Sequence, residues 1–240
     1  MRILSLNAFW FQGVPFEGTD PGEPRPHVLS SIAAALRPLA PDALCLQEIQ
    51  SPDALLAVSA KLPELAHEAY CAGAVFPQYG IAVLSRRPIA LLLSTERLVP
   101  PPQRAFQVFR VNALTIAHIH LPSGRQEGRE RAAGLRVAEL GGILKAFPGI
   151  DVWAGDVNEP PGGAVDAFWR ENDFVDAAAF TGQGHHPTAA AGRNRGDRIA
   201  VRRALTDRLA AYGVMPARRF LGPEGRPLSD HLPLWIDLSM

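Results

Sequence analysis

The chain has 240 residues, with 24 Lys and Arg balanced by 24 Asp and Glu, 47% hydrophobic and 20% charged. This composition excludes a disordered chain and leaves ample apolar material for a packed core. The zero formal charge argues against a protein that grips nucleic acid through a broad basic face, although a local basic patch fits within a neutral total.

The first apolar run, Ile3–Leu6, predicts a strand that ends on Asn7. Asn7 follows too soon for a signal-peptide core. Gln12–Pro26 is dense in Gly and Pro and predicts a loop, with Trp10, Phe11 and Phe16 beside it. A helix is predicted over His27–Leu39 from the spacing of Val28, Ile32, Ala35, Leu36 and Leu39. Ala43–Leu46 predicts a second strand ending on Gln47-Glu48, with Cys45 as a small core residue. Ser51 and Pro52 then read as the cap and first position of a helix running to Leu62. Further strands are predicted over Ile81–Leu84, Ala113–Ile119 and Val152–Ala154, and helices over Arg129–Phe147 and Pro161–Asn172. These runs are nearly continuous rather than alternating, as strands covered on both faces require. The mixture predicts an α/β (α+β) fold, read as one domain over residues 1–240. With only Cys45 and Cys71 and no apolar run of about 18 residues, a soluble, cytoplasmic, monomeric protein is expected.

The chemistry gathers where these strands meet polar residues: Asn7, Glu48, His118 and His120, Asp156 and Asn158, Asp197, and the pair Asp230-His231 before the last apolar run. Each taken singly reads as a turn former or a satisfied core residue. Together they would place several carboxylates at buried strand ends, which calls for a cation, histidines or arginines beside them. Oxygen donors of this kind suit a hard cation, Mg²⁺ or Mn²⁺, better than zinc.

In chain order, SLNAF, LCLQEIQ, YGIAVLSRRPI, AHIHLPSG, GDVNEPPGG, RGDRIAV and LSDHLPL resemble the successive motifs of the endonuclease/exonuclease/phosphatase superfamily, from Ile3 to Leu238. Each motif is weak alone; the ordered set is specific. Ile81, Val157 and Ile119-His120 depart mildly from the family pattern. The resemblance implies a deoxyribonuclease-I-like, four-layer α/β/β/α sandwich and a metal-dependent phosphoesterase. It implies Glu48, Asn7 and Asp230 at the metal, Asp156 and Asn158 at the attacking water, and His120 (with His118 as its rival) on the phosphate. It also implies a His231–Asp197 pair. His231 is then read as the base; were it cationic, Asp156 would take that role.

Arg86 and Arg87 read as surface charge. His185 and His186, close in sequence to Arg193, Arg195 and Arg198, read either as a phosphate-reading loop or as a solvated one, and Arg193 and Arg195 are taken as substrate-binding. A phosphodiester in DNA or RNA is the favoured substrate; a phosphoinositide or other small or lipid phosphoester is the alternative. A non-catalytic module on the same fold is disfavoured because the Glu, Asp and His of the site are all present. The aromatic loop could stack a base, cover a lipid or pack on the core.

Overall fold

The computed structural model describes residues 1–18, 20–192 and 194–239. In chain order the strands are β1 (Arg2–Asn7), β2 (Ala43–Ile49), β3 (His67–Cys71), β4 (Gly80–Ser85), β5 (Ile89–Ser94), β6 (Phe106–Val111), β7 (Leu114–His120), β8 (Val152–Asp156), β9 (Phe174–Asp176), β10 (Asp197–Arg202), β11 (Leu209–Val214) and β12 (Leu234–Leu238). The helices are α1 (Pro26–Leu36), α2 (Pro52–Ser59), α3 (Gly124–Glu127), α4 (Arg129–Ala146), α5 (Ala164–Glu171) and α6 (Ala177–Phe180). Two six-stranded mixed sheets form, ordered β11-β12-β1-β2-β4-β3 and β5-β6-β7-β8-β10-β9. Each contains one parallel pair, β1–β2 in the first and β7–β8 in the second.

The pattern of burial explains the continuous apolar runs. Leu4, Leu6, Leu44, Leu46, Ala82 and Leu84 pack outward against Val28, Leu29 and Ile32 of α1 and Leu55 and Val58 of α2. Their neighbours Ile3, Cys45 and Val83 point the other way and meet Ile116, Val152, Ala154 and Ile199 between the sheets. Trp153, Ala117, Ile119 and Ala200 of the second sheet face outward onto Leu140 and Ile143 of α4 and Val165, Phe168 and Trp169 of α5. The layers are therefore helix, sheet, sheet, helix, and both faces of each central strand are buried. No described helix is long and apolar enough to cross a membrane.

The helix signals hold locally. Ser51 Oγ accepts from Ala54 N–H at 3.1 Å, and Pro26 and Pro52 stand in the first turns of their helices. The first predicted helix stops at Leu36; Arg37–Leu39 tightens into a single 3-10 turn around Pro38, closed by Ala40 in the left-handed region (φ 47°). The fourth starts at Ala164, because Pro161–Gly163 form a turn before it.

One glycine fixes the approach of the two parallel strands that carry the site. Gly155 has φ +146°, and a Cβ there would lie 1.8 Å from the Ile119 carbonyl oxygen of β7. Neither backbone can yield without moving His120 or Asp156, which are paired in the same register. Gly155→Ala is expected to lower stability by about 3 kcal/mol or more, read from denaturant unfolding.

Candidate active site

The residues facing the gap between the sheets turn polar at one end of it. Along β1 the inward positions run Ile3, Ser5, Asn7, and along β2 Cys45 then Gln47. On the second sheet the inward positions are His118 and His120 of β7, Asp156 of β8 and Asp197 of β10. Asp156 is registered against His120 on one side and Asp197 on the other. The parallel pairs thus deliver their C-terminal ends to the same place. Asp230 and His231 arrive on the segment before β12, tied back by Ser229 Oγ, which donates to the Asn7 carbonyl at 2.8 Å.

Glu48 reaches the site through an irregularity. The β2–β4 register shifts between Gln47 and Ile49, and Glu48 adopts φ 55°. A bulge of this kind re-aims the side chain that simple alternation would send to the other face.

Asp156 is the hub. Its Oδ2 accepts from Asn7 Nδ2 (3.2 Å) and Asn158 Nδ2 (3.1 Å), and its Oδ1 accepts from the Asn158 backbone N–H (2.8 Å). His120 Nε2 lies 3.6 Å and His231 Nε2 3.9 Å from Asp156 Oδ2. His231 donates Nδ1–H to Asp197 Oδ2 at 2.8 Å, which leaves Nε2 facing Asp156 and Asp230. Burial would lower the His231 pKa, but the carboxylates of Asp197, Asp156 and Asp230 outweigh it and hold the imidazole well above its ordinary 6.5. The two candidates for the base, Asp156 and His231, thus face each other across the site.

The two histidines of β7 separate cleanly. His118 is enclosed between Gln47 Nε2 (2.6 Å to Nε2) and Gln107 Nε2 (3.2 Å to Nδ1), and burial pushes its pKa down to about 3. A neutral imidazole has one donor and one acceptor, so one of these amides must turn over; Gln107 Oε1 is otherwise without a partner and can accept the ring N–H. His118 is a satisfied core residue. His120 faces the site and is held neutral, its pKa driven well below 6.5 by burial and then by Arg104.

Arg104 escaped the sequence reading. It is buried and sits on His120 Nε2 and 3.6 Å from Glu48 Oε1. Its guanidinium lies over the Tyr79 ring at 4.3 Å and donates through Nη2 to Gln126 Oε1, while Gln126 Nε2 donates to the Tyr79 hydroxyl. Nothing around Pro100–Pro102 marks a loop arginine for such a place; only the fold brings it there.

Glu48, Asp197 and Asp230 each keep a carboxylate oxygen that lacks what a cation would supply. Among the described residues Glu48 Oε2, Asp197 Oδ1 and Asp230 Oδ1 have no hydrogen-bond partner, and burial raises the Glu48 pKa to about 7 against the pull of Arg104 and His231. Ligand atoms of Asp156, Asp197 and His231 also lie within 4.8 Å of one another. Both sets of donors, Glu48 with Asp230 and Asp156 with Asp197 and His231, could hold a cation. Asn7 braces the site: its Oδ1 accepts from Phe9 N–H at 3.0 Å, which leaves one lone pair on that oxygen, and its Nδ2 is on Asp156.

Of the two arginines assigned to substrate, the described one does not converge on the site. Arg195 is buried with Nη1 on both oxygens of Asp176, at 3.0 and 2.9 Å, so it braces the edge of the second sheet and does not reach the site. Arg193 lies outside the described residues. His185 and His186 are exposed and stack on each other, rings 4.2 Å apart. Arg86 and Arg87 are exposed, Arg86 donating to the Pro41 carbonyl.

Solved structures share this architecture. The chain is similar to D. rerio TDP2 in complex with a single strand DNA product (18% identity, TM-score 0.69) and to a humanized D. rerio TDP2 with 14 mutations (18%, 0.67), with 100% of this chain and 99% of each of those covered. It is also similar to an endonuclease/exonuclease/phosphatase from Beutenbergia cavernae DSM 12333 (20%, TM-score 0.68), covering 100% of this chain and 71% of that one. No curated protein matches. The Endonuclease/Exonuclease/phosphatase family model matches residues 4–231, a span that takes in every polar strand end from Asn7 to His231, and the chain belongs to that family.

Proposed function

We propose that this protein is a divalent-cation-dependent phosphodiesterase acting on nucleic acid, as one domain over residues 1–240. One observation carries the reading: Asp156 stands between two amides and two histidines, with a carboxylate-held imidazole on one side and, among the described residues, partnerless oxygens of Glu48 and Asp230 nearby. Mg²⁺ or Mn²⁺ would be held by Glu48 and Asp230. Bound there, it would offset the charge that builds on the non-bridging phosphate oxygens. Asp156, its orientation fixed by Asn7 and Asn158, orients the attacking water and accepts its proton. His231 donates Nε2–H to a phosphate oxygen, and Asp197 keeps that proton in place. Arg104, stacked on Tyr79 and resting on His120, adds a fixed positive charge on the opposite side of Asp156.

Nucleic acid is favoured by an aromatic path that begins at His120. Tyr79 is 5.9 Å from the His120 ring, Trp10 5.1 Å from Tyr79, and Phe16 6.0 Å from Trp10, while Phe76 flanks Tyr79 at 6.0 Å. Phe76 is 37% exposed, so the outer end of this path is open to a stacking base. The TDP2 neighbour bound to a single strand DNA product supports the same reading. The test is a panel of supercoiled plasmid, abasic-site oligonucleotide, single-stranded RNA, a soluble phosphoinositide and a nitrophenyl phosphodiester, each with and without Mg²⁺. Phe76→Ala is expected to raise KM for single-stranded substrates about fivefold, the loss of one stacked base, and to leave the nitrophenyl compound unaffected. Equal effects on both would remove the case for stacking.

A further inference from the structure

On the outer face of β10, away from the active site, Arg198 is fully buried. It lies in a cleft of about 370 Å³ lined by Trp169 and Arg170 of α5, Phe174 and Asp176 of β9, Arg195 and Arg203. The Arg198 guanidinium is 4.9 Å over the Trp169 ring, donates Nε–H to Asp176 Oδ2 at 2.7 Å and pairs through Nη2 with Asp166. Its Nη1 has no hydrogen-bond partner, and neither has the Trp169 Nε1–H, although Trp169 is 1% exposed. Two residues that line the cleft thus each keep a buried donor, just beneath its wall, with no acceptor among the described residues.

The aspartates present do not meet this demand. Asp176 caps α6, accepting from Ala178 and Ala179 N–H, and its two oxygens also receive Arg195 and Arg198. A single carboxylate is thus shared between two buried guanidinium groups. Four arginines line the cleft against two aspartates, and Arg203 at the rim is matched by the exposed Asp173. Unused donors with surplus positive charge, in a site of ligand size, call for a ligand that only accepts. Pro161, Phe174, Val175 and Ala179 supply an apolar wall, which gives room for an organic group attached to the anion.

The geometry points to this cleft as a second binding site, for a phosphate group carried free or as a small phosphate monoester, held by Arg198 Nη1 and Trp169 Nε1–H. It does not depend on the catalytic reading. Asp197 and Arg198 are consecutive on β10 and face opposite sides of the sheet, so the cleft and the active site share a strand but no ligating group.

The test is calorimetric titration of the full chain, in chelator, with inorganic phosphate and with a nucleoside monophosphate. Wild type is expected to bind at least one of them. Trp169→Phe, which keeps the ring and removes the N–H, and Arg198→Lys, which keeps the charge and removes the fork, are each expected to weaken binding tenfold or more. His231→Ala, which removes the cation of the active site, is expected to leave it unchanged. Binding of both probes alike would mean that the anion alone is read; binding of the monophosphate only would mean that the apolar wall contributes. Should Arg198→Lys fail to fold, Trp169→Phe decides. The proposal is overturned if neither probe binds, or if binding survives Trp169→Phe, and loss in His231→Ala would place the bound anion in the active site instead.

Discussion

Glu48→Gln is expected to give a protein that is inactive and, without metal, more stable than wild type above pH 7. The sign follows from the raised pKa. Glu48 titrates at about 7 when folded, against an ordinary 4.5, so the folded state favours its protonated form. That advantage is fully present below pH 4.5 and is lost as the pH rises through 7. Above that, the ionised carboxylate costs about 3 kcal/mol relative to the neutral one. Glutamine keeps the shape without the charge and removes that cost. In chelator at pH 8 the variant should unfold at higher temperature or denaturant than wild type, and the difference should vanish by pH 4. Adding Mg²⁺ reverses the order, because stabilisation through binding requires the carboxylate. Turnover should fall by about 10³-fold or more, the scale expected when a site loses its main electrostatic element. A variant less stable than wild type at pH 8 in chelator would show that Arg104, not a cation, is the partner Glu48 is built for.

The same burial explains what could be read from the chain. Central strands covered on both faces must be continuous apolar runs, so Ile3–Leu6, Ala43–Leu46 and Val152–Ala154 stood out, and any polar residue closing such a run was conspicuous. Asn7, Asp156 and Asp197 were legible for that reason, and the ordered motifs supplied the rest of the set. Edge strands carry no such signal. β3, His-Glu-Ala-Tyr-Cys, is half-exposed and mixed, and β5 and β11 leave one face open, so none was recognised. Pairings across the fold were also hidden. Arg195 differs in sequence in no way from a substrate-reading arginine; only the 19-residue return to Asp176 shows that it is a brace. Arg104 is the converse, a loop arginine that tertiary structure carries into the site. The positive φ of Glu48 belongs to a bulge whose register is set by β4, which lies more than thirty residues along the chain.

Asp197→Asn tests which way the proton moves. The asparagine oxygen can still accept from His231 Nδ1–H, so the ring keeps its place, but the charge that raises its pKa most is gone. Burial then acts against the remaining pull of Asp156 and Asp230, and the imidazole pKa falls. If the imidazolium is the working form, donating Nε2–H to phosphate while Asp156 takes the water proton, the variant loses its active protonation state at lower pH than wild type. The alkaline limb of kcat/KM against pH should therefore move down, with turnover at pH 8 reduced by about 10³-fold or more, as for other carboxylates that hold a working imidazole. An NMR titration of the His231 ring in the same variant should show the same displacement. The opposite pattern, an acid limb that moves down with activity retained at high pH, would make neutral His231 the base. Asp156 would then be left to position the water, and Asp156→Asn should cost much less than His231→Ala. In the arrangement found here the reverse is expected: Asp156 is contacted by every group that surrounds it, and His231 by only one that could fix its proton.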